Sequence, residues 1–380
     1  MRRIAFTNGR VVTPSGVLDG AGLHVADGHI VAVTPPDRND ETIDLDGGWL
    51  VPGFVDTQVN GGGGVLFNDS IDIDGIRAIT AAHMRYGTTG LLVTLISDDP
   101  ERIGEALEAT EAAIAADVPG VMGIHIEGPF LNARRKGIHD ASKFHRIDDD
   151  MIALLTQPRR GKVMLTLAPE TCTPEDISAL VTGGVIVSAG HSDADYATTR
   201  AALAAGLRGF THLFNAMPPF HHRRPGIVGA ALDDQQAWCG LIADGAHVDP
   251  VVLRVALRAR PLDRMMLVTD AMPSVGAARK DFMLQGRAIR VQDGLCVDSA
   301  GTLAGSDLDM AGAVRNMITL VGVDPVDAIA MASAHPAAFL GLAGERGALA
   351  AGLRADWVQL TADFAPRATW IAGDRVAGGV

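Results

Sequence analysis

Val185-Ile186-Val187-Ser188-Ala189-Gly190-His191 and, one segment later, Gly209-Phe210-Thr211-His212 set the pattern of this chain: a short apolar run that ends on a side chain able to do chemistry. Working outward, apolar runs recur at Trp49–Asp56, Gly90–Leu95, Val121–Glu127, Val163–Glu170, Trp238–Asp244 and Met265–Asp270, eight runs in all, and all but Gly90–Leu95 end on such a side chain. Buried parallel strands read as near-continuous aliphatic runs rather than alternating ones. A helical or loop segment follows each run. Thr173 is placed to cap a helix, with Pro174 at its first position and Glu175-Asp176 in its first turn. Ser192, Asp249 and Asp324 suit the same role, the last two being followed by proline. Eight strand–helix repeats predict a closed parallel (β/α)8 TIM-like barrel of the α/β class. An open, doubly wound sheet is the alternative.

The two ends of the chain read differently. Asn8-Gly9 lies between Ile4-Ala5-Phe6 and Val11-Val12, and Asp27-Gly28 between Leu23-His24-Val25 and Ile30–Val33. Both dipeptides supply the positive φ that tight hairpins need. Trp357–Leu360 and Trp370-Ile371, turning at Gly373-Asp374 toward Val376, resemble them. The expected organisation is a small β-sandwich domain from residues 1–50 plus 346–380, and a barrel over 51–345. A β-hairpin insertion near 285–298 (Ala288–Val297, turning at Asp293-Gly294) would interrupt the barrel.

Composition fits this plan and excludes some functions. The 380 residues are 47% hydrophobic but only 4% aromatic, with 44 glycines, so the core is expected to be aliphatic. A formal net charge of −13 argues against nucleic-acid binding, though local arginines can still hold an anion. Cys172, Cys239 and Cys296 form no CxxC pair and read as reduced thiols. No apolar stretch reaches the length of a membrane span, and no leader-like segment precedes the first strand. The expectation is a soluble, cytoplasmic protein without membrane or nucleic-acid partners.

In a barrel the C-terminal strand ends converge on one mouth. Glu127, His191 and His212 would then meet as one carboxylate and two imidazoles, the ligand pattern of a catalytic zinc site with an open fourth position. Such a metal makes its water acidic enough to attack near neutral pH, and Asp270 can carry the proton. Asp56, Glu170 and Asp244 remain open between supporting and loop-anchoring roles. Arg223 and Arg224, with His247 after the seventh run, suit an anionic substrate; a solvated basic loop explains the two arginines equally well. Asn60-Gly61-Gly62-Gly63-Gly64 lacks the ending of a phosphate loop and suits close backbone approach instead.

These segments resemble the amidohydrolase superfamily, in its amino-sugar-phosphate deacetylase branch. The resemblance is carried by Pro52–Gly61, Gly123–Asn132, Ser188–Ser192, Thr211–Met217, Ile242–His247 and Val268–Ala271, with Ala351–Asp356 resembling the return into the β-domain. It implies hydrolysis of the acetamide of N-acetylglucosamine 6-phosphate to glucosamine 6-phosphate and acetate. Glu127, His191 and His212 would bind one divalent metal per subunit, and Asp270 would be the acid/base. Zn2+ is the expected ion; Fe2+, Mn2+ and Co2+ suit the same donors. Ile138 (through its backbone), Asn215, Ala216, Arg223, His247 and the Leu303-Ala304-Gly305 loop would contact the phosphorylated amino-sugar substrate. The resemblance further implies a homodimer, with Arg223 and His247 reaching across to hold phosphate. Many relatives carry His-x-His after the first strand, where this chain has Gln58 and Asn60. These amides would support the ligands or hold a second metal weakly. Alternatives within the class are a deacetylase of another N-acetyl amino sugar and a cyclic amidase; outside it, a non-catalytic assembly protein.

Overall fold

The aliphatic runs pair parallel in sequence order: Phe54–Val59, Thr88–Ile96, Val121–Glu127, Lys162–Leu167, Ile186–Ala189, Gly209–Phe210, Trp238–Leu241 and Met265–Leu267. The seam between first and last strand is bridged by Asp270 N donating to Gln58 O (3.0 Å) and Asn60 N to Ala271 O (2.9 Å), and by a parallel bridge from Val59 to Ala271. The result is the expected eight-stranded barrel, seen here in a computed structural model that describes residues 1–378. The two final positions of the expected 346–380 segment lie outside the described residues. Burial of nearly every strand residue explains why the runs do not alternate.

One expected barrel strand proves to be two strands. Trp49–Asp56 divides at Gly53: Trp49–Pro52 joins the sheet of the chain ends, and Phe54–Val59 begins the barrel. Gly53 has room for no side chain, because a Cβ there would lie 2.1 Å from Thr89 Oγ1. Trp49–Pro52 pairs parallel with Arg10-Val11 on one side and antiparallel with Trp357–Leu360 on the other. This eight-stranded terminal sheet closes around Phe6, Leu23, Leu50, Trp357 and Trp370. Trp357 meets Phe6 edge-on at 6.0 Å and stacks on Trp370 at 5.8 Å.

Two turn signals come out differently. Asp27-Gly28 makes the expected hairpin, but Asn8-Gly9 is a bulge within one continuous strand, Arg2–Thr13. The bulge lets that strand pair with Glu41–Asp44 before it and with Trp49–Pro52 after it. The insertion after the eighth strand is larger than a hairpin. It is an antiparallel sheet of Phe282–Leu284, Arg287–Gln292, Leu295–Val297 and Leu303–Ser306.

Thr173 and Asp176 form a reciprocal capping box, and Asp249 and Asp324 cap their helices. Ser192 does not cap: Asp195 caps the helix Tyr196–Ala204, and the Ser192 hydroxyl goes elsewhere. All three cysteines are free, two of them buried. Among the described residues no helix is long and apolar enough to cross a membrane.

Candidate active site

Glu127 ends the third barrel strand, His191 and His212 each lie two positions beyond the fifth and sixth, and Asp270 follows the eighth. The barrel therefore gathers them at one mouth. His212 Nε2 lies 3.0 Å from both Glu127 Oε1 and His191 Nε2, and His191 Nε2 lies 3.3 Å from the same carboxylate oxygen. His191 Nδ1 donates to the Arg135 carbonyl at 2.8 Å, so its Nε2 presents a lone pair to this cluster. Acceptor atoms crowded together in a buried place call for a cation between them. Ligands at about 2.0–2.1 Å around a tetrahedral zinc stand about 3.3 Å apart, close to the separations seen here. The donor set thus fits a divalent metal. Burial alone would push the Glu127 carboxyl up, but its bonds to His191 and His212 outweigh that and hold it well below the usual range. Burial would likewise lower His212, yet the Glu127 carboxylate raises it.

The backbone at this mouth is unusual. His191, His212, Phe214, Ala216 and Asp270 have φ of +48°, +32°, +80°, +52° and +53°. Residues with a Cβ rarely adopt this region, at a cost of order 1–3 kcal/mol each.

A third histidine joins the site. His139 follows Ile138 in the loop after the third strand, its ring 4.5 Å from that of His191. One of its ring nitrogens lies within 4.8 Å of a Glu127 carboxylate oxygen and a His191 ring nitrogen. His139 Nδ1 accepts from Ser97 N at 3.4 Å and lies 2.8 Å from Ser97 Oγ, leaving the proton on Nε2. Burial and the neighbouring His191 push it down to about 3, so it stands neutral beside the trio. Sequence reasoning named only the backbone near Ile138. The available signal was a titratable side chain in a loop at the C-terminal face.

Asp270 opens onto the cavity, and its Oδ1 accepts from Asn60 Nδ2 (2.7 Å) and Gln58 Nε2 (3.1 Å). Gln58 Nε2 also donates to Glu127 Oε1 at 3.1 Å. The two amides therefore tie Asp270 to the donor cluster while leaving its second oxygen free of them. Burial first, then the Glu127 charge, push the Asp270 carboxyl up to about 6. Asp56 lies behind it, accepting from Thr269 Oγ1 at 2.6 Å, and burial pushes it up to about 7.

A cavity of about 390 Å3 covers the cluster, lined by Asn60, Ile96, Glu127, Gly137, Ile138, His139, His191, His212, Asn215, Ala216, His247, Asp270, Met272, Leu284, Gly301, Thr302, Leu303 and Gly305. Ile138, Asn215, Ala216, Leu303 and Gly305, expected as substrate contacts, line this cavity. His247 lines the cavity of its own chain, its Nδ1 fixed 2.5 Å from Asp244 Oδ2. Ala304 is fully buried in the inserted sheet and does not line the cavity. Arg223 is exposed and lies outside the lining, as does Gln58 behind Asp270.

The donor cluster and Asp270 thus lie together at the C-terminal mouth of a parallel barrel. The chain belongs to the amidohydrolase family, whose model matches residues 49–376. It is 40% identical over 372 residues to an N-acetylgalactosamine-6-phosphate deacetylase of Shewanella sp. (strain ANA-3), covering 96% of this chain and 94% of that protein. It is 36% identical over 402 residues to an N-acetylglucosamine-6-phosphate deacetylase of Mus musculus, covering 98% and 95%. The crystal structure of N-acetylglucosamine-6-phosphate deacetylase from Pasteurella multocida superposes with a TM-score of 0.94 at 33% identity, over 98% of this chain and 99% of that one. The chain is an enzyme, a hydrolase of carbon–nitrogen amide bonds.

Proposed function

We propose that this chain removes the acetyl group of N-acetylglucosamine 6-phosphate, giving glucosamine 6-phosphate and acetate. The observation that carries the proposal is the Glu127–His191–His212 cluster with Asp270 tied beside it by Gln58. Glu127, His191 and His212 would hold one divalent cation, Zn2+ by donor type, with Fe2+, Mn2+ and Co2+ accommodated by the same atoms. When bound, that ion supplies Lewis acidity to the acetamide carbonyl and to the attacking water.

Asp270 takes a proton from the water as its oxygen adds to the carbonyl carbon, then returns it to the amine nitrogen as the carbon–nitrogen bond breaks. Its raised affinity for protons suits a group that must both take and give one. His139, neutral and carrying its proton on Nε2, is available to donate a hydrogen bond to substrate. Asn60 and Gln58 keep Asp270 oriented rather than holding a second metal.

Among the described residues no lysine or arginine lines the cavity, so apart from the metal donors His191 and His212 and the neutral His139 a phosphate has only His247 beside it. We assign the missing charge to Arg223 from a second copy in a homodimer, while His247 serves its own cavity. Arg223→Ala should then raise KM for the phosphorylated substrate at least tenfold, with kcat little changed; an unchanged KM removes this arginine from phosphate binding.

A second reading, the galactosamine epimer as substrate, is favoured by the name of the 40%-identical relative. Acetate release from the 6-phosphates of N-acetylglucosamine and N-acetylgalactosamine, against the unphosphorylated sugars, decides between them. Release from none of the four overturns the proposal.

A further inference from the structure

Glu170 stands just beyond the fourth barrel strand, outside the cavity lining, yet its carboxylate receives three hydrogen bonds from the loops that carry the metal donors. Oε1 accepts from Asp193 N at 2.6 Å and Asn132 Nδ2 at 2.8 Å, and Oε2 from Ser192 Oγ at 2.7 Å. Ser192 and Asp193 follow His191 directly. Asn132 lies on the loop that continues from Glu127, and its backbone N donates to the His191 carbonyl at 3.0 Å.

The connections form a ring. Asn132 Oδ1 accepts from Arg134 N at 2.9 Å and so starts the short helical turn Ala133–Arg135. That turn presents the Arg135 carbonyl to His191 Nδ1 at 2.8 Å. The Arg135 guanidinium returns to Asp193 Oδ1, 2.8 Å from Nε and 2.7 Å from a terminal nitrogen. Asp193 is in turn held through its backbone by Glu170. The contacts that place the Arg135 carbonyl on His191 Nδ1 thus run through Asn132 and Asp193, both held by this one carboxylate. The Ser192 hydroxyl donates to Glu170 and accepts from Ala194 N at 3.0 Å, short of the helix that Asp195 caps.

We propose that Glu170 is a positioning residue for metal binding: it sets the tautomer and aim of His191 by locking the loops after Glu127 and His191 to each other. The proposal rests on the assignment of Glu127, His191 and His212 as metal donors. His191 needs such a lock because its backbone is held at φ +48°, a conformation a free loop would leave. His212 has no comparable support, since its Nδ1 is buried without a hydrogen-bond partner.

The test is Zn2+ binding by metal-stripped, folded protein, measured by competition with a chromophoric chelator, with no assay of turnover. Glu170→Ala should weaken Zn2+ affinity about 10–100-fold, the range found when supports of ligating histidines are removed. Glu170→Gln keeps one oxygen for Asn132 and Asp193, and the Ser192 hydroxyl can rotate to accept from the new amide, so affinity should stay within about threefold of wild type. A scaffolding role alone would lower the melting temperature of the metal-free Ala variant while leaving affinity intact, and that outcome overturns the proposal. Should Glu170→Ala not fold, Asn132→Ala decides, because it breaks the ring at the Arg135 turn; full affinity there also overturns it. Wild type that binds no Zn2+ would instead overturn the metal assignment itself.

Discussion

The same backbone conformation occurs in two regions of this protein at very different cost. In the terminal sheet and the insertion, left-handed residues are chiefly Asn8, Asp27, Asp46 and Asp293, each followed by glycine. Asn and Asp tolerate that conformation because their short side chains bond locally. At the barrel mouth the left-handed residues are His191, His212, Phe214, Ala216 and Asp270, none chosen for the turn it makes. Turns take the residue that suits the backbone; the mouth takes the residue that suits the chemistry and leaves the surrounding barrel to hold the strain. The terminal sheet, with Trp357 and Trp370 at its centre, contributes stability and no side chain to the cavity.

Four experiments press on this contrast. Asp270→Asn should lower kcat by about 10²–10⁴ while Zn2+ binding and melting temperature hold; a loss of only a few-fold would place the proton on another residue. Trp357→Ala should cost about 3–5 kcal/mol in chemical denaturation, as for large core aromatics, without changing kcat per folded molecule. Loss of kcat there would mean that the two regions are coupled.

A third experiment concerns Asp56, which burial pushes up to about 7 against an ordinary value near 4. A carboxyl raised by folding stabilises below its unfolded value, and that contribution is lost as pH rises through the folded one. Metal-free wild type should therefore lose ground against Asp56→Asn between about pH 4 and pH 7, by up to a few kcal/mol. Parallel stability profiles across that window would refute the raised value. The smallest effects should have opposite signs. Ala216→Gly relieves a left-handed alanine and should raise stability, whereas Asp27→Gly replaces a residue already at ease and should lower it, each by about 1 kcal/mol or less.

Much of this contrast was legible in the sequence. The aliphatic runs identify buried parallel strands, and a barrel then requires that Glu127, His191, His212 and Asp270 meet. Turn chemistry placed Asp27-Gly28 correctly but could not distinguish a hairpin from a bulge at Asn8-Gly9, because both place a left-handed residue there, Asn8 alone in the bulge. Which of them forms depends on Glu41–Asp44 and Trp49–Pro52, distant partners that a local motif does not name. The division at Gly53 was hidden for a similar reason, since two strands in series look like one aliphatic run. His139 escaped notice, and Glu170 was read only as a supporting or loop-anchoring residue without its partners, because both are defined by loops that come together only in space.

The strand Trp49–Pro52 carries a consequence in time. One of its neighbours, Trp357–Leu360, lies about 300 residues further along the chain. At ribosomal speeds of ~5–20 residues per second, that edge stays unpaired for roughly 15–60 s after it is made. Through that interval an apolar strand offers open backbone groups to any other chain nearby. The strand Trp357–Leu360 therefore acts as a seal, and a nascent chain stalled before Trp357 leaves that edge open to aggregation.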